Sequence, residues 1–249
     1  LLEYIDMKSD RTNTLNSVTI HWSYDAVPET PINYNTPLAS LAEVELTLGS
    51  KTIPTGIAHS LVVWTSQPNG VPDSFTPNDT LRRDLKAAMS GTFTIGGANP
   101  DYPTFADAIA DLVAGGGICG PVVYNVRPGT YTEQVAIGNT GTIAGTSAVN
   151  TITFQSETLN RNDVTVQFTS LTGNPTLYNS GVDYVTFRDM TIRALNPSYG
   201  ICAYVTGGAE HMTLENLDLI GQPTTSTSNN LAVIHSPSGS LDHYLTIKN

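Results

Sequence analysis

Apolar and polar residues alternate through most of this chain, and in its second half the alternation recurs as a phrase. Thr153-Phe154-Gln155-Ser156 returns as Thr186-Phe187-Arg188-Asp189, as Thr213-Leu214-Glu215-Asn216 and as Thr246-Ile247-Lys248-Asn249, at steps of 33, 27 and 33 residues. Strand-type residues repeated at such a period mark a solenoid, in which each coil buries its apolar face only against its neighbours. Period-two alternation sends Ile152/Phe154, Val185/Phe187, Met212/Leu214 and Leu245/Ile247 inward. It leaves Thr153, Thr186, Thr213 and Thr246 as an outward column, with Gln155, Arg188, Glu215 and Lys248 beside it. The last three of these alternate in charge and are expected to pair up the face. Ser156, Asp189, Asn216 and Asn249 fall at the following turn, where a stacked polar ladder is expected. Met190-Thr191-Ile192 and Leu217-Asp218-Leu219 predict the next strand of each coil. Upstream, Pro121–Val126 and Gly129–Ile137 begin the solenoid.

Between residues 104 and 113 the period changes from two to that of a helix. Thr104 and Asp107 form a capping-box pattern, Phe105, Ala108, Ile109, Leu112 and Val113 make one apolar stripe, and Gly115-Gly116-Gly117 stops it. A lone amphipathic helix ahead of a solenoid is expected to cover the open end of the first coil. Residues 17–90 instead read as short alternating strands, at 18–22, 32–34, 44–48 and 61–64, separated by Pro/Asn/Gly turns. Trp22 and Trp64 are expected in the core of that unit.

Composition narrows the function classes. Only 13% of the 249 residues are charged and the formal net charge is −11. Nucleic acid and anionic membrane surfaces both require a basic face, so neither is an expected partner. Cys119 and Cys202 would lie several coils apart, too far for a disulfide, and are expected as two separate buried thiols. No CxxC, HExxH, EF-hand or GxSxG pattern occurs, nor a signal peptide or membrane span. The chain opens at Leu1-Leu2-Glu3 and reads as a segment of something longer.

The segment Gly91–Gln134, with GTFTIGG, the DYPTFADAIADL helix, CGPVVYNV and GTYTEQ, resembles secreted right-handed β-helix proteins of Bacteroidetes. Asn150–Ser156 and Asp183–Ile192 continue the resemblance, and Trp64–Gly70 with Asn78-Asp79-Thr80 resemble the Ig-like modules of those proteins. The resemblance implies a large multidomain protein exported by the type IX secretion system to the cell surface. The fold it implies is all-β: an Ig-like β-sandwich over residues 1–90, then the N-terminal part of a helix-capped right-handed parallel β-helix (pectin lyase-like) over 91–249. The Thr104–Ile109 helix and Gly129–Glu133 strand are also similar to pectin methylesterases. The Gln and Asp of that family are missing, however, at Gly200–Ala203 and Gly221–Thr224. The shared features start a β-helix and carry no chemistry. The function implied is a non-catalytic structural or adhesive segment, extracellular, partnered by glycans or other surface proteins without membrane insertion. The alternatives are a polysaccharide-active enzyme, lyase or esterase-like, with catalytic coils beyond residue 249, and a carbohydrate-binding module.

Candidate sites follow from these readings. Glycoside hydrolysis needs two carboxylates facing one cleft, and the acids of the coils are Asp183, Asp189, Glu215 and Asp218. Glu215, between Arg188 and Lys248, reads as part of a structural ladder. Lyase chemistry needs more basic residues than Arg188, Arg193 and Lys248 supply. His211 has no partner suggested by the sequence. Tyr131, Tyr178, Tyr184 and Tyr204 are candidates to stack on sugar rings. No cofactor is expected, with Ca²⁺ as the alternative through Asn69, Asp73, Asn78 and Asp79, against a polar turn held by side-chain hydrogen bonds. Asp79-Thr80-Leu81 resembles a short bacterial O-glycosylation signal, with Thr80 as the acceptor.

Overall fold

The computed structural model describes residues 14–53, 58–73, 79–169, 175–240, 242 and 244–249, together with the backbone of residues 2–8. The chain divides into two compact units, residues 1–87 and 88–249. Both are built of strands, with one α-helix among the described residues.

The first unit holds β1 (Leu2–Lys8), β2 (Val18–Tyr24), β3 (Val27–Pro28), β4 (Ile32–Tyr34), β5 (Glu43–Ser50), β6 (His59–Ser66) and β7 (Thr80–Leu85). β1 and β5 pair antiparallel, and the others form an antiparallel sheet in the order β3-β2-β6-β7 with β4 also on β2. Val18, Ile20, Trp22, Leu38, Leu48, Leu61 and Val63 make its core. Trp22 is 5% exposed and its indole N–H donates to the Thr30 carbonyl at 3.1 Å. Trp64 departs from expectation. Leu61 and Val63 take the inward positions of β6, so alternation turns Trp64 outward, where it is partly buried and stacks on His21 at 5.3 Å. The two-residue turn after β2 puts Asp25 and Ala26 at φ 50 and 62. The Asp25 carboxylate then accepts from His59 Nδ1 at 2.7 Å and the Ser60 N–H at 2.9 Å. These bonds hold its carboxyl below the usual aspartate range. The stability they contribute is therefore present above that range and is lost as pH falls through the depressed value.

The second unit starts with β8 (Met89–Ile95), α1 (Phe105–Ala114), β9 (Ile118–Val126), β10 (Gly129–Thr132) and β11 (Val135–Ile137). Three further coils follow. Each has three strands: β12 (Ile152–Ser156), β13 (Val164–Phe168) and β14 (Leu177–Ser180); β15 (Val185–Arg188), β16 (Thr191–Ala194) and β17 (Ala203–Thr206); β18 (Thr213–Glu215), β19 (Asp218–Ile220) and β20 (Ile234–His235). β21 (Thr246–Lys248) begins another. Corresponding strands pair in parallel to give three sheets: sheet A (β21-β18-β15-β12-β9-β8), sheet B (β10-β13-β16-β19) and sheet C (β11-β14-β17-β20). The result is a parallel β-solenoid of about five turns. The register is the one the repeated phrase predicts: Thr153 opposite Thr186, Thr186 opposite Thr213, Thr213 opposite Thr246.

Inward residues stack on their counterparts one coil away. Tyr124, Phe154 and Phe187 lie at centroid distances of 4.8 and 5.0 Å and within 15° of parallel. Ile152, Val185, Met212 and Leu214 are buried as expected, while Leu245 and Ile247 in the last rung stay exposed. α1 covers the first coil with Phe105, Ala108, Ile109 and Leu112, all buried. Its cap is the expected one: Thr104 Oγ1 accepts from the Asp107 N–H at 3.1 Å. Glu133, from the GTYTE phrase, accepts from the Phe105 and Ala106 N–H groups at 3.3 and 3.1 Å. That phrase thus ties the first coil to its capping helix. Burial nevertheless pushes the Glu133 carboxyl above its ordinary range, outweighing the two N–H donors. A raised carboxyl binds its proton more tightly in the folded state, so this group favours the fold less as pH rises. After the helix, Gly117 at φ 90 has no room for a Cβ, which would collide with the Ala144 carbonyl.

The cysteines differ from expectation. Cys202 is buried, but Cys119 is exposed, because β9 turns it outward between the buried Ile118 and Val122. Burial pushes the Cys202 thiol up to about 11. In the folded protein at neutral pH a thiol reagent is expected to label Cys119 alone, with a second equivalent reacting only on unfolding. Phe154→Ala removes the middle ring of the interior stack and is expected to destabilise the solenoid by about 3–5 kcal/mol, read as a lower denaturation midpoint.

Candidate functional site

The outward face of sheet A carries parallel columns set by the coil register. One runs Asn125, Gln155, Arg188, Glu215, Lys248. Gln155 Nε2 donates to Asn125 Oδ1 at 2.8 Å, and Arg188 Nε donates to Gln155 Oε1 at 2.8 Å. Lys248 Nζ lies 3.4 Å from Glu215 Oε2. The expected charge alternation thus holds for its last pair only. Arg188 sits opposite Glu215 in register but engages Gln155 and, at 3.5 Å, Asp189. At the turn after this sheet, Asp189 and Asn216 adopt φ 58 and 49, and Asn216 Nδ2 donates to Asp189 Oδ1 at 2.6 Å. Ser156, expected in this turn column, is instead fully buried at the end of β12, within reach of Thr158 Oγ1 at 3.0 Å.

Two aromatic columns run along the solenoid. Tyr178, Tyr204 and His235 occupy matched outward positions of sheet C and stack at 5.7 and 5.2 Å. Tyr184, His211 and Tyr244 stand just before β15, β18 and β21 and stack at 4.5 and 4.6 Å, at interplanar angles of 11° and 2°. All three of the latter have φ between 56 and 59. The left-handed region costs a bulky L-residue about 1–2 kcal/mol, and here it recurs at one corner in three successive coils. Of the four candidate tyrosines, Tyr178 and Tyr204 are therefore brought together, and Tyr184 belongs to the second column. Tyr131 belongs to neither: its ring meets Phe105 edge-on at 5.5 Å and its hydroxyl donates to the Arg127 carbonyl at 2.8 Å. His211, which had no partner in the sequence reading, lies between two tyrosine rings. His211, His235 and Tyr244 were detectable in principle, by carrying the repeat step from Tyr184 and Tyr204 across the change of residue type.

The four acids weighed as a catalytic pair, Asp183, Asp189, Glu215 and Asp218, are each engaged. Asp183 Oδ1 accepts from the Glu210 N–H at 2.7 Å, Asp189 from Asn216, Glu215 from Lys248, and Asp218 Oδ1 from Arg161 Nη1 at 3.0 Å. Asp242, beyond them, accepts from the Gly208 and Ala209 N–H groups at 3.0 Å each and from the hydroxyls of Ser236 and Ser240. These bonds shape a shallow recess of about 480 Å³ lined by Thr206, Gly207, Gly208, Pro237, Ser238 and Gly239.

In the first unit, Asn69 Oδ1 accepts from the Asn16 N–H at 2.6 Å and its Nδ2 donates to the Thr14 carbonyl at 3.1 Å, so the side chain ties a turn to the start of β2. Desolvation, and then the neighbouring Asp73 carboxylate, push the Asp79 carboxyl up. Asn78 lies outside the described residues. Among those residues no group of three or more His, Cys, Asp or Glu is placed to hold a metal ion. Thr80 is exposed at the start of β7, which among the described residues pairs with β6. No described helix is long and apolar enough to cross a membrane.

Comparison with protein-family models, with curated proteins and with solved structures finds no match.

The corner stack has a measurable share in stability. His211→Ala removes two ring contacts and is expected to destabilise the solenoid by about 1–3 kcal/mol, at ~0.5–1.5 kcal/mol for each aromatic contact. His211→Phe keeps both contacts and should retain most of the stability in thermal unfolding.

Proposed function

We propose that this chain is a non-catalytic structural and adhesive segment of an exported cell-surface protein, with the solenoid as a stiff element that holds its flanks in fixed register. The observation that carries this reading is the engagement of outward side chains with one another from coil to coil. The Asn125–Gln155–Arg188 relay, the Asp189–Asn216 turn pair and both aromatic columns link each coil to the next. Such columns resist local opening, because displacing one coil breaks contacts to two neighbours. The same engagement leaves Asp183, Asp189, Glu215 and Asp218 as partners in ladders and turns, not as a pair across a cleft.

The surroundings of the solenoid fit the same reading. In the first unit, two antiparallel sheets share one apolar cluster, which is compatible with an Ig-like module in a multidomain surface protein. The low charge and net negative balance suit an extracellular surface that meets neutral polymers or other proteins. No metal or cofactor is invoked.

Incubation with a panel of plant and microbial polysaccharides, with and without Ca²⁺, is expected to release no product. Limited proteolysis is expected to leave residues 88–249 as a resistant core. Release of oligosaccharide would overturn the non-catalytic reading in favour of the polysaccharide-active enzyme. Rapid cleavage between coils would overturn the stiff-element reading.

A further inference from the structure

One connection of the solenoid is longer than its counterpart in the coil before. Between β16 and β17 the chain spends residues 195–202, whereas between β19 and β20 it spends residues 221–233, five more. Both ends of the longer loop are pinned to the preceding coil. Gln222 Nε2 donates to the Ala194 carbonyl at 2.6 Å, and the Gly200 N–H donates to the Asn230 carbonyl at 2.7 Å. The Cys202 and Ala203 N–H groups share the Val233 carbonyl at 3.1 and 3.0 Å. The stretch between these ties, residues 223–230, is exposed at every position. The insertion therefore adds nothing to the core, and its length points to a use outside the fold.

Its composition narrows that use. Thr224, Thr225, Ser226, Thr227 and Ser228 stand in a row behind Pro223. Residues 221–233 hold no aromatic ring and no charged side chain, so the loop lacks the anchors that give a protein interface its affinity. What it offers is hydroxyls, and the structure divides them into two sets. Thr224 Oγ1 accepts from the Ser226 N–H at 2.9 Å, Ser226 Oγ from the Ser228 N–H at 3.1 Å, and Ser228 Oγ from the Asn230 N–H at 3.3 Å. These three hydroxyls fix the path of the loop, and the last of them caps the short helical turn Asn229–Leu231. Thr225 and Thr227 lie between them. Both are exposed, and their hydroxyls make no hydrogen bond among the described residues.

We infer that Thr225 and Thr227 are acceptor sites for O-linked glycosylation. In the transfer, threonine Oγ1 forms a bond to the anomeric carbon of a nucleotide-activated sugar. The bond from that carbon to the donor's phosphate breaks, and the hydroxyl proton passes through the transferase to the departing phosphate. An uncharged Ser/Thr row behind a proline is the composition of O-glycosylated segments. The structure adds what composition lacks: the row stands clear of the core between two fixed ends, with two of its five hydroxyls free. Phosphate suits the same hydroxyls less well. Residues 221–233 offer no lysine or arginine to receive it, and the chain already carries a net charge of −11. Sugars there cover a loop that the fold leaves open, in keeping with a protease-resistant element. The inference rests on the exported reading for the chain's encounter with such a transferase, and concerns a flank that reading does not use.

The test is mass spectrometry of the full-length protein isolated from the organism that makes it, with the cell-surface and interior fractions taken separately. Intact mass is followed by electron-transfer fragmentation of the peptide that carries residues 221–233. Surface chains are expected to carry whole sugar units, removed by β-elimination and attached at Thr225 and Thr227. Thr225→Val/Thr227→Val is expected to lose that mass and Ser226→Ala to keep it. Neither should change the melting temperature, since the loop buries no residue between 223 and 230. The inference is overturned if surface chains carry no sugar in this loop, carry it only on Thr224, Ser226 or Ser228, or carry phosphate in its place. Sugar-free protein at the surface would remove the glycosylation and leave the exported reading standing. Unmodified protein confined to the interior would remove both.

Discussion

A coil of this solenoid can bury its apolar side chains only if the next coil lands directly on it, and the interior stack of Tyr124, Phe154 and Phe187 shows how tightly that condition is met. A slip of one residue would exchange the inward and outward faces, exposing Phe154 and burying Gln155. A slip of a whole phrase would break the aromatic stack. Register is thus held from inside, and every outward column inherits it. The threonine column, the polar ladder and the aromatic stacks are all consequences of where the buried residues must sit. This is why loops as different as residues 157–163 and the short turn at Asp189 can separate strands that still pair in phase.

At the start of the solenoid a helix stands where a further coil would. At the first coil the chain supplies α1, and the link is polar as well as apolar. Glu133 on the first coil receives two N–H donors from the start of the helix, and Tyr102 donates its hydroxyl to Asp111 at 2.6 Å. The helix therefore has a fixed rotation over the coil beneath it, which a purely apolar stripe would not specify. The burial that raises the Glu133 carboxyl shows that this position serves orientation at some expense to stability.

Much of this was legible in the sequence, for a physical reason. Inward positions of the solenoid are mostly apolar and repeat at fixed offsets, so Phe154, Phe187 and Leu214 announce themselves. Outward positions are judged one residue at a time, and there the pattern misleads. Arg188 reads as a partner for Glu215, yet the amide of Gln155 and the carboxylate of Asp189 are equally near, and only geometry decides between them. Trp64 reads as core from its size, whereas its parity on β6 sends it outward. Cys119 and Tyr131 failed in opposite directions for the same reason: neither composition nor motif reports which side of a strand is covered. The aromatic columns are half visible in the sequence, because the tyrosines stand out while the change to histidine at His211 and His235 hides the continuation.

The corner occupied by Tyr184, His211 and Tyr244 shows how such a repeat selects its residues. Glycine or asparagine would meet the positive φ at lower conformational cost, and both are common elsewhere in this chain. Large flat rings occur there instead, in successive coils, and each can be favourable only if the coils above and below carry one too. An isolated aromatic at that φ would add strain without a stacking partner. The column is therefore cooperative in sequence as well as in structure: the residue at one corner is chosen by its neighbours a coil away, about 30 positions distant, and not by those beside it in the chain. That coupling also turns ring faces inward along the axis and leaves edges outward.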